Sequence, residues 1–170
     1  MVDAVADRDT LQPTRLSVTV VLSFVVVLAA LCGWLGFRAE QARHDDELRA
    51  RLVQAARQGA VNLTTVDYKN AESDVQRILD SSTGQFREEF EARSAPFIEV
   101  VKKAKSTSVG TVTEAGLESL TGQQGSVLVS VTVKTVSNEQ AEQQPRYWRM
   151  RMTVDQQAGG AKVSKVDFVP

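Results

Sequence analysis

The sequence predicts an α+β domain carried on a single membrane-spanning helix, and three observations predict it. Residues Leu16 to Phe37 (LSVTVVLSFVVVLAALCGWLGF) form a run of 22 without a charge. From residue 38 to about 105, apolar residues recur at spacings of three and four, the helical period. Beyond residue 105 the period falls to two and the composition turns to Val and Thr, the signature of strands.

The uncharged run comes first. At 1.5 Å per helical residue it spans roughly 33 Å, enough for the hydrocarbon core of a bilayer. Residues 1–15 then form an N-terminal tail and residues 16–37 a transmembrane helix, with Leu16, Phe24, Leu28, Trp34 and Phe37 as anchoring side chains. A cleaved leader would have an apolar region of about 7 to 15 residues and an A-x-A-like site. Here the run is longer, and the following Ala39 and Ala42 are spaced A-x-x-A. Lipoprotein processing needs a small residue before the modified cysteine, whereas Leu31 precedes Cys32. As the only cysteine, Cys32 makes no intramolecular disulfide and no zinc-site spacing, and it reads as one more apolar residue of the helix. Ala29 and Gly33, four apart, would let another membrane helix approach closely.

Charge leaves the sidedness of that helix open. Only Arg8 and Arg15 precede it, while Arg38, Arg43, Arg49, Arg51 and Arg57 follow, which read naively places the large domain in the cytoplasm. The positive-inside rule is weak for long translocated domains, and Glu40, Asp45, Asp46 and Glu47 contribute little to it. Of 20 Lys plus Arg and 21 Asp plus Glu, only Arg8, Arg15, Asp3, Asp7 and Asp9 lie before residue 38, leaving 18 of each sign in the remainder. Without a basic excess, nucleic acid is excluded as an expected partner. The remainder is the size of one ordinary domain and can bury a core.

Three helical segments follow the anchor. Residues 38–60 read as a stalk that leads into the domain, with Leu48, Leu52, Ala55 and Ala56 on one face and Glu47 four residues before Arg51. Residues 61–170 form the α+β domain itself. A helix over 67–80 places Tyr68, Ala71, Val75, Ile78 and Leu79 on one face, with Asp67 as its cap, and Ser81-Ser82-Thr83-Gly84 ends it. A third helix, about 85–105, bends at Pro96 and presents Phe86, Phe90, Phe97, Val100, Val101 and Ala104 as an apolar stripe for core packing.

Four strands follow, at about 107–119, 125–137, 146–155 and 162–169, joined at Thr121-Gly122, Asn138 to Pro145 and Gly159-Gly160. In the second, Val127, Val129, Val131 and Val133 face one way and Ser130, Thr132 and Lys134 the other. In the third, Trp148, Met150, Met152 and Val154 oppose Tyr147, Arg149, Arg151 and Thr153. The expected fold is therefore an antiparallel meander of about four strands, curved around helices on one face, with room for a cavity between.

Candidate chemistry is sparse. His44, the sole histidine, sits seven residues past Phe37 beside Asp45 and Asp46, a position near headgroups and away from a cavity. Asp67, Glu72 and Asp74 cluster in sequence, as do Glu88, Glu89 and Glu91; a carboxylate pair can do acid–base work, but charged helical faces read as solvated. No G-x-S-x-G elbow or Gly-rich phosphate loop is present, and Gly159-Gly160 reads as a hairpin turn. Arg146, Tyr147, Arg149 and Arg151, with Trp148, form the one candidate partner surface, through cationic and aromatic groups, set against the plainer reading of an exposed and a core face. No catalytic, cofactor or metal site is expected.

The anchor at 16–37, Thr83-Gly84-Gln85-Phe86 entering a long helix, the Val-rich strand 127–133, Arg146-Tyr147-Trp148-Arg149-Met150 and the closing Val163-Ser164-Lys165-Val166-Asp167-Phe168 occur in an order that resembles the actinobacterial Mce-associated membrane proteins. That resemblance implies a cone-shaped domain similar to nuclear-transport-factor-2-like (NTF2-like) and VirB8-like folds, on the outer face of the cytoplasmic membrane. It also implies a non-catalytic accessory role in lipid import, with the lipid bilayer, Mce proteins, permease and ATPase subunits as partners and no cofactor. Two alternatives share the plan: a carrier of lipid or a hydrophobic ligand in the cone cavity, and a VirB8-like structural subunit of a secretion system.

Overall fold

The computed structural model describes residues 12–138 and 144–170. It divides into two compact units, Met1–Asp45 and Asp46–Pro170. The elements in chain order are α1 (Gln12–Thr64), β1 (Val66–Asp67), α2 (Ala71–Asp80), α3 (Gly84–Ala104), β2 (Thr107–Thr121), β3 (Gln124–Val136), β4 (Arg146–Gln157) and β5 (Gly160–Val169).

In the first unit the backbone of the uncharged run is helical throughout. Most of the N-terminal tail expected at 1–15 lies outside the described residues, as does the side chain of Leu16. Phe24, Leu28, Trp34 and Phe37 are all exposed, and Arg38 stands over the Trp34 ring at 5.5 Å. Among the described residues no helix is long and apolar enough to cross a membrane. Their longest uninterrupted stretch in the run, 24–35, amounts to roughly 18 Å of helix against a core of about 30 Å; the side chains of 16–21, 23 and 36 lie outside them.

In the second unit, helices lie on one face of a five-stranded antiparallel sheet of order β1-β2-β3-β4-β5. The sequence leads to four strands. The fifth, β1, is two residues long and pairs Val66 with Ser108 and Asp67 with Thr107, too short for an alternation to show. Asp67 is consequently not a helix cap. Its Oδ1 accepts the Lys69 N–H at 2.9 Å, turning the chain, and α2 begins after Asn70. Tyr68 lies before that helix.

The core explains the placement of the helices. Val127, Val129, Val131 and Val133 of β3 and Met150, Met152 and Val154 of β4 are buried on one face, as their alternation predicts. Against them pack Leu52, Ala56 and Ala60 of α1, each 0 % exposed, so the latter part of the segment 38–60 is an integral core helix. Glu47 does pair with Arg51, at 3.1 Å. Backbone contact is closest at Gly110 of β2, where a Cβ would come within 1.8 Å of Thr64 Oγ1. The Gly110 N–H donates to Thr65 Oγ1 at 3.1 Å, which ties the end of α1 to β2.

Helix α3 runs through Pro96 and closes with Lys105 in the left-handed region (φ 45°, ψ 46°). Its final turn carries Ser106 N–H to Val101 O and Lys105 N–H to Lys102 O, both 3.1 Å, a Schellman closure. Phe86, Phe90 and Phe97 form a ladder with centroids 5.9 and 6.0 Å apart, and all three are half-buried. Val100, expected in the apolar stripe, is 66 % exposed, because the face that reaches the core carries Phe97 and Val101 instead. Register shifts at Val112/Glu114, Leu117/Ser119 and Thr153/Val154 mark bulges, which bend a sheet and increase its twist. The turn Ser81 to Thr83 closes part of the β5 edge, with Thr83 N–H donating to Val163 O at 2.8 Å and Val163 N–H to Ser81 O at 3.1 Å.

Candidate functional site

Strand β4 was the element whose sequence suggested a recognition strip, and the sheet register divides that strip between two faces. Val131 opposes Trp148 and Val133 opposes Arg146, so Arg146 shares the helix-covered face with Trp148 and Met150. Tyr147, Arg149 and Arg151 project from the other face. A strand's period of two forbids Arg146 from joining them.

On the uncovered face, Tyr147 is 81 % exposed. Arg151 is committed to Glu118 of β2 by a bidentate pair, Nε at 2.7 Å and Nη2 at 2.8 Å. Hydrogen bonds first from Arg151 and then from Ser126 hold the Glu118 carboxyl below the usual glutamate range, and the same pair raises Arg151. Arg149 donates to the Pro170 carbonyl, fastening the end of the chain. The strip therefore presents one exposed aromatic beside two guanidiniums with internal partners.

On the covered face, an open groove of about 350 Å³ lies among the end of α1, α3 and strands β2–β4. Val66, Val101 and Val133 are its buried floor, Phe97 and Trp148 are half-buried walls, and exposed Arg146 stands at its rim. The Trp148 ring meets Phe168 edge-on at 5.8 Å, and Phe168 is itself 64 % exposed. A second open groove, about 550 Å³, lies around Tyr147, Trp148, Arg149, Phe168 and Pro170. Phe168 and Phe97 were not singled out in the sequence as site residues. Their signal was tertiary: Phe168 is placed by its register opposite Met150, and Phe97 by the packing of α3 beside the groove.

The carboxylates considered for acid–base work have structural partners. Asp74, 6 % exposed, accepts the Asp67 N–H at 2.8 Å and pairs with Arg77 at 2.8 Å, while Arg77 also donates to Thr65 O. Glu72 pairs with Lys102, whose hydrogen bond lowers its pKa. Glu88, Glu89 and Glu91 are exposed on α3, and His44 is exposed on α1. Among the described residues no group of three His, Cys, Asp or Glu stands close enough to hold a metal ion.

With this geometry in hand, comparison with known proteins gives three findings. Residues 13–170 match the family described as uncharacterized protein Rv1363c/MT1408-like. The uncharacterized protein Rv1363c of Mycobacterium tuberculosis is 36 % identical over 159 residues, a stretch that takes in 92 % of this chain and 61 % of that protein. The chain thus spans less than two thirds of that relative's length. Among solved structures, an IcmL-like type IV secretion system protein from Legionella pneumophila superposes with a TM-score of 0.59 at 19 % identity, over 72 % of this chain and 92 % of that one. CagV, a VirB8 homologue from Helicobacter pylori, gives 0.54 at 12 % identity over 71 % and 97 %. The periplasmic domain of DotI gives 0.53 at 16 % over 69 % and 92 %. The fold is similar to that of VirB8-like secretion components, as the α+β reading with helices on an antiparallel sheet implies.

Proposed function

The chain belongs to the Rv1363c/MT1408-like family, and from that premise we propose that it is a non-catalytic, membrane-anchored accessory subunit whose α+β unit docks on and stabilises an Mce-type lipid-import assembly. The observation that carries the docking part is the VirB8-like fold, which recurs in components of multiprotein secretion machines. A chain built this way acts through surfaces. Its candidate acid–base carboxylates Asp74 and Glu72 are engaged in holding α2 to its neighbours.

The membrane anchor is the uncharged run 16–37, and the α+β unit lies on the extracytoplasmic side in this reading, as the periplasmic domain of DotI does. The Mce partners, meaning Mce proteins, permease and ATPase, come from the ordered sequence motifs that resemble Mce-associated proteins. A second reading, a structural subunit of a secretion apparatus, is favoured by the identity of the fold neighbours. Deleting the gene in its native host separates them. An accessory subunit predicts a fall in the steady-state level of Mce and permease subunits, restored by the full chain. Unchanged Mce subunits with a loss of secretion-channel components would favour the second reading.

A further inference from the structure

We propose that the groove of about 350 Å³ among α1, α3 and strands β2–β4 binds a single-chain amphiphile with a carboxylate head, its chain on the apolar floor and its head on Arg146. Val66, Val101 and Val133 are the almost fully covered base of the groove, and the half-buried Phe97 and Trp148 supply the apolar surface a chain would take out of water. Its volume falls at the lower end of the range for small-molecule sites, about 300–1,000 Å³. The β2 edge beside the groove is occupied at Thr107 and Ser108, where it pairs with β1.

Charge selects the head. Among the described residues Arg146 is the one charged residue lining the groove, and the hydroxyls of Ser106, Ser108 and Thr135 supply its other side-chain donors apart from Thr64, which is bonded to Ala60 O, and the Trp148 indole. A single guanidinium matches a monoanion, and its planar fork matches the two oxygens of a carboxylate. This site is distinct from the outer strip at Tyr147, and it stands whether or not the α+β unit docks on a transport assembly.

Trp148 reports on occupancy. With Trp34→Phe, it is the remaining tryptophan of the two in the chain. The full-length variant, held in amphipol, is titrated with terminally brominated undecanoate, whose bromine quenches indole fluorescence on contact. The expected result is saturable quenching, weakened about tenfold by Arg146→Gln and by replacing the carboxylate with an alcohol. Thr135→Phe, which narrows the groove and keeps the Arg146 guanidinium, should also weaken it. Quenching that rises without saturation, or that is left undiminished by Arg146→Gln and by the alcohol, would overturn the proposal.

Discussion

Asp74 is the residue on which the helical layer turns. A nearly buried carboxylate, it accepts from the backbone of β1 and from Arg77, which in turn reaches Thr65 at the end of α1. Asp74→Ala removes the acceptor and leaves the Asp67 N–H without its partner, at a cost of about 2 kcal/mol in unfolding free energy. Asp74→Asn retains an acceptor and should cost less; chemical denaturation of the two variants checks the order. Glu118 acts on the opposite layer and brings a pH dependence. Its folded pKa is depressed by Arg151, so its contribution is present above the usual glutamate range and fades as pH falls through the lowered value. Glu118→Gln should therefore flatten the acid limb of a stability-against-pH curve and leave no added slope at neutral pH. Neither role was legible from sequence, since Asp74 and Arg77 are an ordinary i,i+3 pair there and Glu118 lies 33 residues from Arg151. Long-range pairing decides both.

Among the elements, α3 carries a conformational cost that sequence alone conceals. Lys105 occupies a left-handed position that costs an L-residue with a Cβ roughly 1 kcal/mol and costs glycine little. Lys105→Gly should raise stability by up to about 1 kcal/mol, seen as a higher melting temperature, because the Schellman bonds to Val101 and Lys102 are main-chain and survive the change. The strands were the most legible elements. The alternation of Val127 to Val133 and of Trp148 to Val154 is long enough to fix both the strand type and the buried face. Strand β1 and the true start of α2 were not, because Val66-Asp67 offers no period and Asp67 reads equally as a cap or a turn residue. The strip on β4 failed at one residue: Arg146 shares the strand with Tyr147, Arg149 and Arg151, yet strand parity sends it to the other face.

At the scale of the whole molecule, the account joins an uncharged run at 16–37 to an α+β unit with a VirB8-like fold. The uncharged run was legible because hydropathy needs no tertiary context. The sidedness was not, because the arginine excess after the run carries little weight when the domain beyond it is long. It can be measured through Tyr147, the most exposed aromatic of the sheet. In a Cys32→Ser background, Tyr147→Cys should react with a membrane-impermeant maleimide on intact spheroplasts; labelling only after lysis would place the unit in the cytoplasm. The partners are the central claim, and affinity purification of the full-length tagged chain from its native membrane, followed by mass spectrometry, tests it most directly. The account predicts that Mce proteins co-purify with permease and ATPase subunits. Recovery of secretion-channel proteins in their place, or of the chain alone under conditions that keep the Mce assembly intact, would contradict it.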